Sequence, residues 1–199
     1  LPEMAKGCRS DMSLEYYRFE AHDCVFLILD YLEFKPGGQQ ETWLIGELEK
    51  SARSATRIFL AAHPPLILWG RHFFDNPDFA IRIEQLCRKY AVDAYFCGHT
   101  HNQSISFHPA ENTAKGFLQL TGSAVGYPHL PTISLDTFHQ LAKYDTGDQY
   151  LWGILEDSAP GFFLIEVEGE TSRIEWHSLD DSAELTVPGR RQPPRISKR

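Results

Sequence analysis

Val92-Asp93-Ala94-Tyr95-Phe96-Cys97-Gly98-His99-Thr100-His101-Asn102 runs from a mostly apolar segment straight into a glycine and two spaced histidines. The first six residues have the length and character of a strand, and Gly98 stops it. In an extended backbone alternate side chains project to one side, so His99 and His101 can reach the same small volume. Glycine in front of them permits a tight turn and close backbone approach. Open α/β sheets bind ligands at the carboxyl ends of their strands, which is where this pair stands.

The same grammar recurs upstream. Ile58-Phe59-Leu60-Ala61-Ala62 is a buried strand stopped by His63-Pro64-Pro65, and Pro64 biases His63 toward extended dihedrals. Cys24-Val25-Phe26-Leu27-Ile28-Leu29 is a continuous apolar run closed by Asp30, as expected of a strand covered on both faces. Between these strands the period changes. Trp43, Leu44, Leu48 and Ala52 recur at helical spacing within Gln39–Arg53, after a Lys35-Pro36-Gly37-Gly38 loop. Pro77 opens a second helix carrying Phe79, Ile81, Ile83, Leu86 and Cys87. Alternation of strand and helix predicts a layered α/β domain with largely parallel pairing. Neutral imidazole is a common ligand of divalent transition metals, so His63, His99 and His101, each at a strand end, form a candidate metal site.

Composition narrows the classes. The 199 residues are 42% hydrophobic, which supports a packed core and excludes a disordered or fibrous chain. A net charge of −8 argues against a nucleic-acid groove, because phosphate backbones are held through Lys and Arg. No apolar run reaches the ~18 residues of a membrane-spanning helix. Cys8, Cys24, Cys87 and Cys97 form no C-x-x-C pair and are expected as reduced thiols.

After residue 102 short strands follow at Ser104–Phe107, Gly116–Leu120 and Gly161–Val167. Arg173–Trp176 closes a hairpin with the last of these, while Tyr127–Gln149 is a long loop. Residues 188–199 carry five basic groups, three prolines and no acid, and are expected to be a disordered tail. His22, His108, His139 and His177 read as surface or satisfied histidines. His72, in the loop Gly70–Phe74, and Asn102 are candidates for substrate contact. Asp30 reads as a cap on the turn that follows it, and Gly122 and Gly126 as turn glycines.

Ala62-His63-Pro64-Pro65 and Gly98-His99-Thr100-His101-Asn102 resemble the last two metal-binding blocks of the calcineurin-like metallophosphoesterases. Tyr16-Tyr17-Arg18-Phe19 with Phe26-Leu27-Ile28-Leu29-Asp30, Gln40-Glu41-Thr42-Trp43-Leu44 and Gln119-Leu120-Thr121-Gly122-Ser123-Ala124 resemble its intervening segments. The likeness covers about residues 15–177. It implies a layered αββα sandwich with two divalent metals (manganese, iron or zinc), His63 and His99 on one and His101 on the other. It further implies a bridging aspartate and hydroxide between the metals, and hydrolysis of a phosphomonoester or phosphodiester of a small molecule or a nucleotide-like substrate. The family's Asp-x-His, Gly-Asp-x-x-Asp and Gly-Asn-His blocks are absent from these 199 residues.

The expectation is therefore an irregular lead-in at 1–14, the C-terminal part of such a domain at 15–187, and the tail beyond. The sheet would be incomplete on its N-terminal side, and the chain, starting Leu1-Pro2-Glu3, would supply only part of a site and be inert alone. Its location is left open, with the cytoplasm favoured. The competing reading is a binding module on the same fold without catalysis. The order His-x-His-x-Asp-His of metallo-β-lactamases fails, because Gln103 and Ser104 occupy the last two places.

Overall fold

In a computed structural model the protein is described over residues 15–55, 57–68, 71–73, 75–101, 103–108, 116–122, 152–157, 160–169, 171–178, 182–187 and 195–198. The chain enters through β1 (Tyr17–Ala21) and turns back into β2 (Cys24–Ile28), with Ala21 opposite Cys24. His22 takes a positive φ of 52° in the two-residue turn, the conformation that twists a hairpin correctly. Then come α1 (Gln39–Ser54), β3 (Arg57–Ala61), a small hairpin of β4 (Ile67–Leu68) and β5 (Arg71–His72), α2 (Pro77–Tyr90) and β6 (Ala94–Cys97). Next are β7 (Gln103–His108), β8 (Phe117–Thr121) and β9 (Trp152–Asp157). The seven-stranded sheet has the order β1-β2-β3-β6-β8-β7-β9. Its centre, β2, β3, β6 and β8, is parallel, and β1, β7 and β9 are antiparallel additions.

The apolar runs are continuous because both faces are covered. Val25, Leu27, Ile58, Leu60 and Tyr95 face Leu44 and Leu48 of α1 and Phe79, Ile83 and Leu86 of α2. Cys24, Phe59, Ala94, Leu118 and Leu120 face the other way, onto Ile174 and Trp176. Each fully buried leucine contributes about 1.5–3 kcal/mol relative to exposure. Ile174 and Trp176 belong to a second sheet, β10 (Gly161–Glu168), β11 (Thr171–Ser178), β12 (Ser182–Val187) and β13 (Arg195–Lys198), paired antiparallel throughout. The layers are thus two helices, a seven-stranded sheet and a four-stranded sheet. Neither α1 nor α2 is long and apolar enough to cross a membrane.

Helix boundaries follow local chemistry. Asn76 caps α2 by accepting from Phe79 N–H at 3.1 Å, with Pro77 behind it, and Ala91 ends the helix at φ 56°. Gln40 ties the first turn of α1 to the end of β2, donating to the Asp30 carbonyl at 2.9 Å and accepting from its N–H at 3.0 Å. Asp30 caps its own turn as expected, accepting from Leu32 N–H at 2.9 Å. Cys24, Cys87 and Cys97 are free thiols.

Two expectations need correction. Arg195–Lys198 is a strand paired with β12 rather than a disordered tail. Its main-chain groups complete a sheet edge, and that pairing does not depend on the basic composition that suggested disorder. β9 and β12 were also not expected, although both pair along most of their length. Tyr127–Gln149, Gly126 and His139 lie outside the described residues.

Behind the sheet's helical face Glu84 gathers three groups. It accepts from Arg88 Nε at 3.0 Å and Nη2 at 2.8 Å, and its other oxygen meets His72 Nε2 at 2.6 Å. Burial raises the carboxyl's pKa, but these bonds outweigh it and hold it at about 2. The fully buried His108 is pushed down to about 4 by burial, with Glu84 opposing and Arg88 and His72 assisting. Both folded-state values lie below the unfolded ones, so both groups stabilise at neutral pH and lose that contribution on acidification. For His108 the loss spans pH 6.5 down to about 4 and amounts to about 3 kcal/mol in all. For Glu84 it spans 4.5 down to about 2. The urea midpoint should accordingly fall as pH drops from 6.5. In His108→Phe, which keeps a ring beside Phe117, the slope between pH 6.5 and 4.5 should flatten. An unchanged slope would remove His108 as the cause.

Candidate functional site

His63 and His99 are brought together by the pairing of β3 and β6. At the strands' beginnings Asp93 accepts from Arg57 Nη1 at 2.7 Å and Ile58 N–H at 2.8 Å, and its own N–H donates to the Ile58 carbonyl at 2.8 Å. At their ends Ala62 N–H donates to Phe96 at 3.1 Å and Gly98 N–H to the His63 carbonyl at 2.9 Å. The register therefore carries through to the two histidines, and His63 Nε2 lies 3.1 Å from His99 Nδ1 with the rings edge to face.

The chain leaving His63 is held as firmly. Tyr95 OH donates to the Pro64 carbonyl at 2.7 Å. Gln119, buried in β8, accepts from Leu66 N–H at 2.8 Å and Ile67 N–H at 3.1 Å and donates to the Ile67 carbonyl at 2.8 Å. Neither residue was singled out from sequence. The signal was there in Gln119, a polar residue inside Phe117-Leu118-Gln119-Leu120, which must find partners when buried.

The histidine turn departs from expectation. His99 and His101 have φ of 70° and 59°, so the pair is not in extended backbone. Thr100, buried between them, donates its N–H to the Gly98 carbonyl at 2.8 Å and tightens the turn. Two non-glycine positions of this kind, separated by Thr100, cost of order 1–3 kcal/mol each. Gly98 meets only ordinary contacts, so its lack of a side chain is not what allows the turn.

Aromatic rings wall the pair. Phe73 meets the His99 ring edge to face at 5.0 Å, and Tyr31 lies 6.0 Å from His63. Asp75, just ahead of the α2 cap, places Oδ2 4.0 Å from His99 Nε2 and was not anticipated. The pKa of His63 is lowered by burial and then by His99 and His101, which favours the neutral, lone-pair-bearing form. His72, expected near substrate, is engaged by Glu84. Asn102 lies outside the described residues.

Two imidazole nitrogens 3.1 Å apart match the ~3.3 Å edge of a tetrahedral shell built from 2.0–2.1 Å metal–nitrogen bonds. The donor pair therefore fits a divalent cation. Among the described residues no three His, Cys, Asp or Glu side chains are grouped so as to enclose an ion as they stand. A full shell requires side-chain rotation and further donors.

Comparison with known proteins follows the same lines. The sequence matches no protein-family profile. Over 104 residues, 51% of this chain, it is 31% identical to purple acid phosphatase 23 of Arabidopsis thaliana, covering 22% of that protein. Purple acid phosphatase PPD1 from seeds of yellow lupin (Lupinus luteus) superposes with a TM-score of 0.57 at 17% identity, over 92% of this chain and 32% of that one. GAP50, described as the anchor in the inner membrane complex of Plasmodium, superposes with a TM-score of 0.54 at 14% identity, over 89% of this chain and 54% of that one. The chain has the metallophosphoesterase-like fold of the purple acid phosphatases, and it spans a minor part or about half of these proteins' lengths.

Zinc titration against a chromogenic chelator separates ligand from scaffold. His63→Ala and His99→Ala should each weaken zinc binding by more than about a hundredfold, beyond the roughly ten- to hundredfold that loss of an outer partner usually costs. His72→Gln should leave zinc affinity intact while lowering the melting temperature. Equal zinc affinity in wild type and His99→Ala would remove the pair from consideration.

Proposed function

We propose that this chain supplies the imidazole side of a metal centre that hydrolyses phosphate esters, mono- or diesters of small or nucleotide-like molecules. The observation that carries this is the apposition of His63 Nε2 and His99 Nδ1 at the carboxyl ends of neighbouring parallel strands, on a fold shared with purple acid phosphatases. In this reading His63 and His99 hold one cation and His101, on the same turn, a second; manganese, iron and zinc all suit the donor set. Divalent cations in such a site polarise phosphoryl oxygens and lower the pKa of water. The protein's own contribution is positional. Desolvation and the neighbouring imidazoles lower the His63 pKa, the Thr100 turn aims His99, and Tyr31 and Phe73 wall the site. Carboxylates able to bridge two cations are supplied, in this proposal, from outside the three histidines.

A second reading, a binding module without turnover, draws support from the likeness to GAP50, which is described as an anchor. The two separate in an assay of p-nitrophenyl phosphate and bis-p-nitrophenyl phosphate with manganese or zinc. The 199-residue chain should be inert. A polypeptide in which it follows Asp-x-His, Gly-Asp-x-x-Asp and Gly-Asn-His blocks should turn over, and should lose activity with chelator or with His99→Ala. Silence of that longer form across diverse phosphate esters would favour the binding module. Robust metal-dependent turnover by the chain alone would show that it holds a sufficient site.

A further inference from the structure

We propose that Asp75 is a positioning residue that fixes the tautomer of His99, holding its proton on Nε2 and presenting the Nδ1 lone pair toward His63. The cation-binding consequence rests on the reading of His63 and His99 as ligands of one ion; the tautomer itself does not.

The argument begins with the two ends of one ring. His99 Nδ1 faces His63 Nε2 at 3.1 Å, and His99 Nε2 faces Asp75 Oδ2 at 4.0 Å. A neutral imidazole carries one proton and one lone pair, on different nitrogens. An ionised carboxylate only accepts, so the energetically favoured arrangement puts the proton on the nitrogen beside Asp75. The nitrogen beside His63 is then left with its lone pair and accepts from His63 Nε2–H across the 3.1 Å contact. Histidines that bind metals characteristically donate their other N–H to a carboxylate or carbonyl, which sets ring orientation and basicity. Here the acid stands on the side away from the shared corner.

Asp75 is delivered there by its neighbours. Phe73 is buried, donates its N–H to the Leu66 carbonyl at 2.9 Å and lays its ring against His99. Asn76 caps α2 and donates from Nδ2 to the Tyr31 carbonyl at 3.1 Å. The backbone of Asp75 is thus bracketed by two anchored residues, while its side chain is 53% exposed. Phe73 blocks the ring from swinging away. Glu84 is not a rival for this role, since it is committed to His72 and Arg88.

The test uses the full chain without metal at pH 8. Long-range proton–nitrogen NMR should show His99 protonated on Nε2, and Asp75→Asn should move it to a mixture or to the Nδ1–H form, with His177 as an unaffected internal reference. Circular dichroism would verify folding, and Asp75→Glu should restore the Nε2–H tautomer. Zinc affinity should fall about ten- to hundredfold in Asp75→Asn. A wild-type His99 protonated on Nδ1, or a His99 tautomer unmoved by Asp75→Asn, would overturn the proposal. A wild-type chain with Nε2–H His99 that binds no zinc would leave the Asp75 assignment standing and remove the ligand reading instead.

Discussion

The parallel register of β3 on β6 is the constraint on which the rest depends. Asp93 sets it at one end, where a single carboxylate accepts from Nη1 of the buried Arg57 and from the N–H of Ile58. From there the pairs Phe59↔Ala94, Leu60↔Tyr95 and Ala61↔Phe96 follow without a slip. Because strand side chains alternate with a period of two, a shift of one residue would exchange the two faces. Ile58 and Leu60 would leave the helices, and Phe59 would leave the second sheet. Both hydrophobic cores therefore resist a one-residue slip, and the Asp93 bonds to Arg57 and Ile58 resist a longer one. Two histidines separated by 36 positions meet because this register is held.

The strain of the histidine turn is borne by this framework. His99 and His101 occupy left-handed backbone that costs free energy, while Thr100 between them is buried and the strands on both sides are locked. A conformation of this kind persists where surrounding structure over-determines it. Tyr95 and Gln119 complete that determination from below by holding residues 64, 66 and 67. Neither touches His99, yet both fix the chain that carries His63.

Much of this was legible in the sequence, because its main features are periodic. The apolar runs at residues 24–29, 58–62 and 92–97 and the two amphipathic stretches between them translate directly into β2, β3, β6, α1 and α2. What was not legible depends on contacts distant in sequence or on backbone detail. β13 owes its pairing to its neighbour in the sheet rather than to a clear alternation of its own, whereas β12 alternates polar and apolar residues from Ser182 to Val187 and carried a strand signal. Positive φ is uncommon at residues other than glycine, even though histidine is among those enriched there, so extended backbone was the natural but mistaken expectation at His99 and His101. His72 looked like a substrate contact because its loop follows a candidate ligand. Its partner Glu84 lies on a helix twelve residues on, and only packing reveals that.

The sign of charge around the histidine pair orders the functional readings. The groups seen against it are aromatic, Tyr31 and Phe73, and acidic, Asp75, on a chain whose net charge is −8. A carboxylate beside neutral imidazoles attracts cations and repels a phosphate dianion. Direct capture of a phosphate by these side chains would oppose their electrostatics. A bound divalent cation reverses the local field and makes the same position attractive to phosphoryl oxygens. In the proposed reading the arrangement is therefore a cation site first and a phosphate site only through the cation.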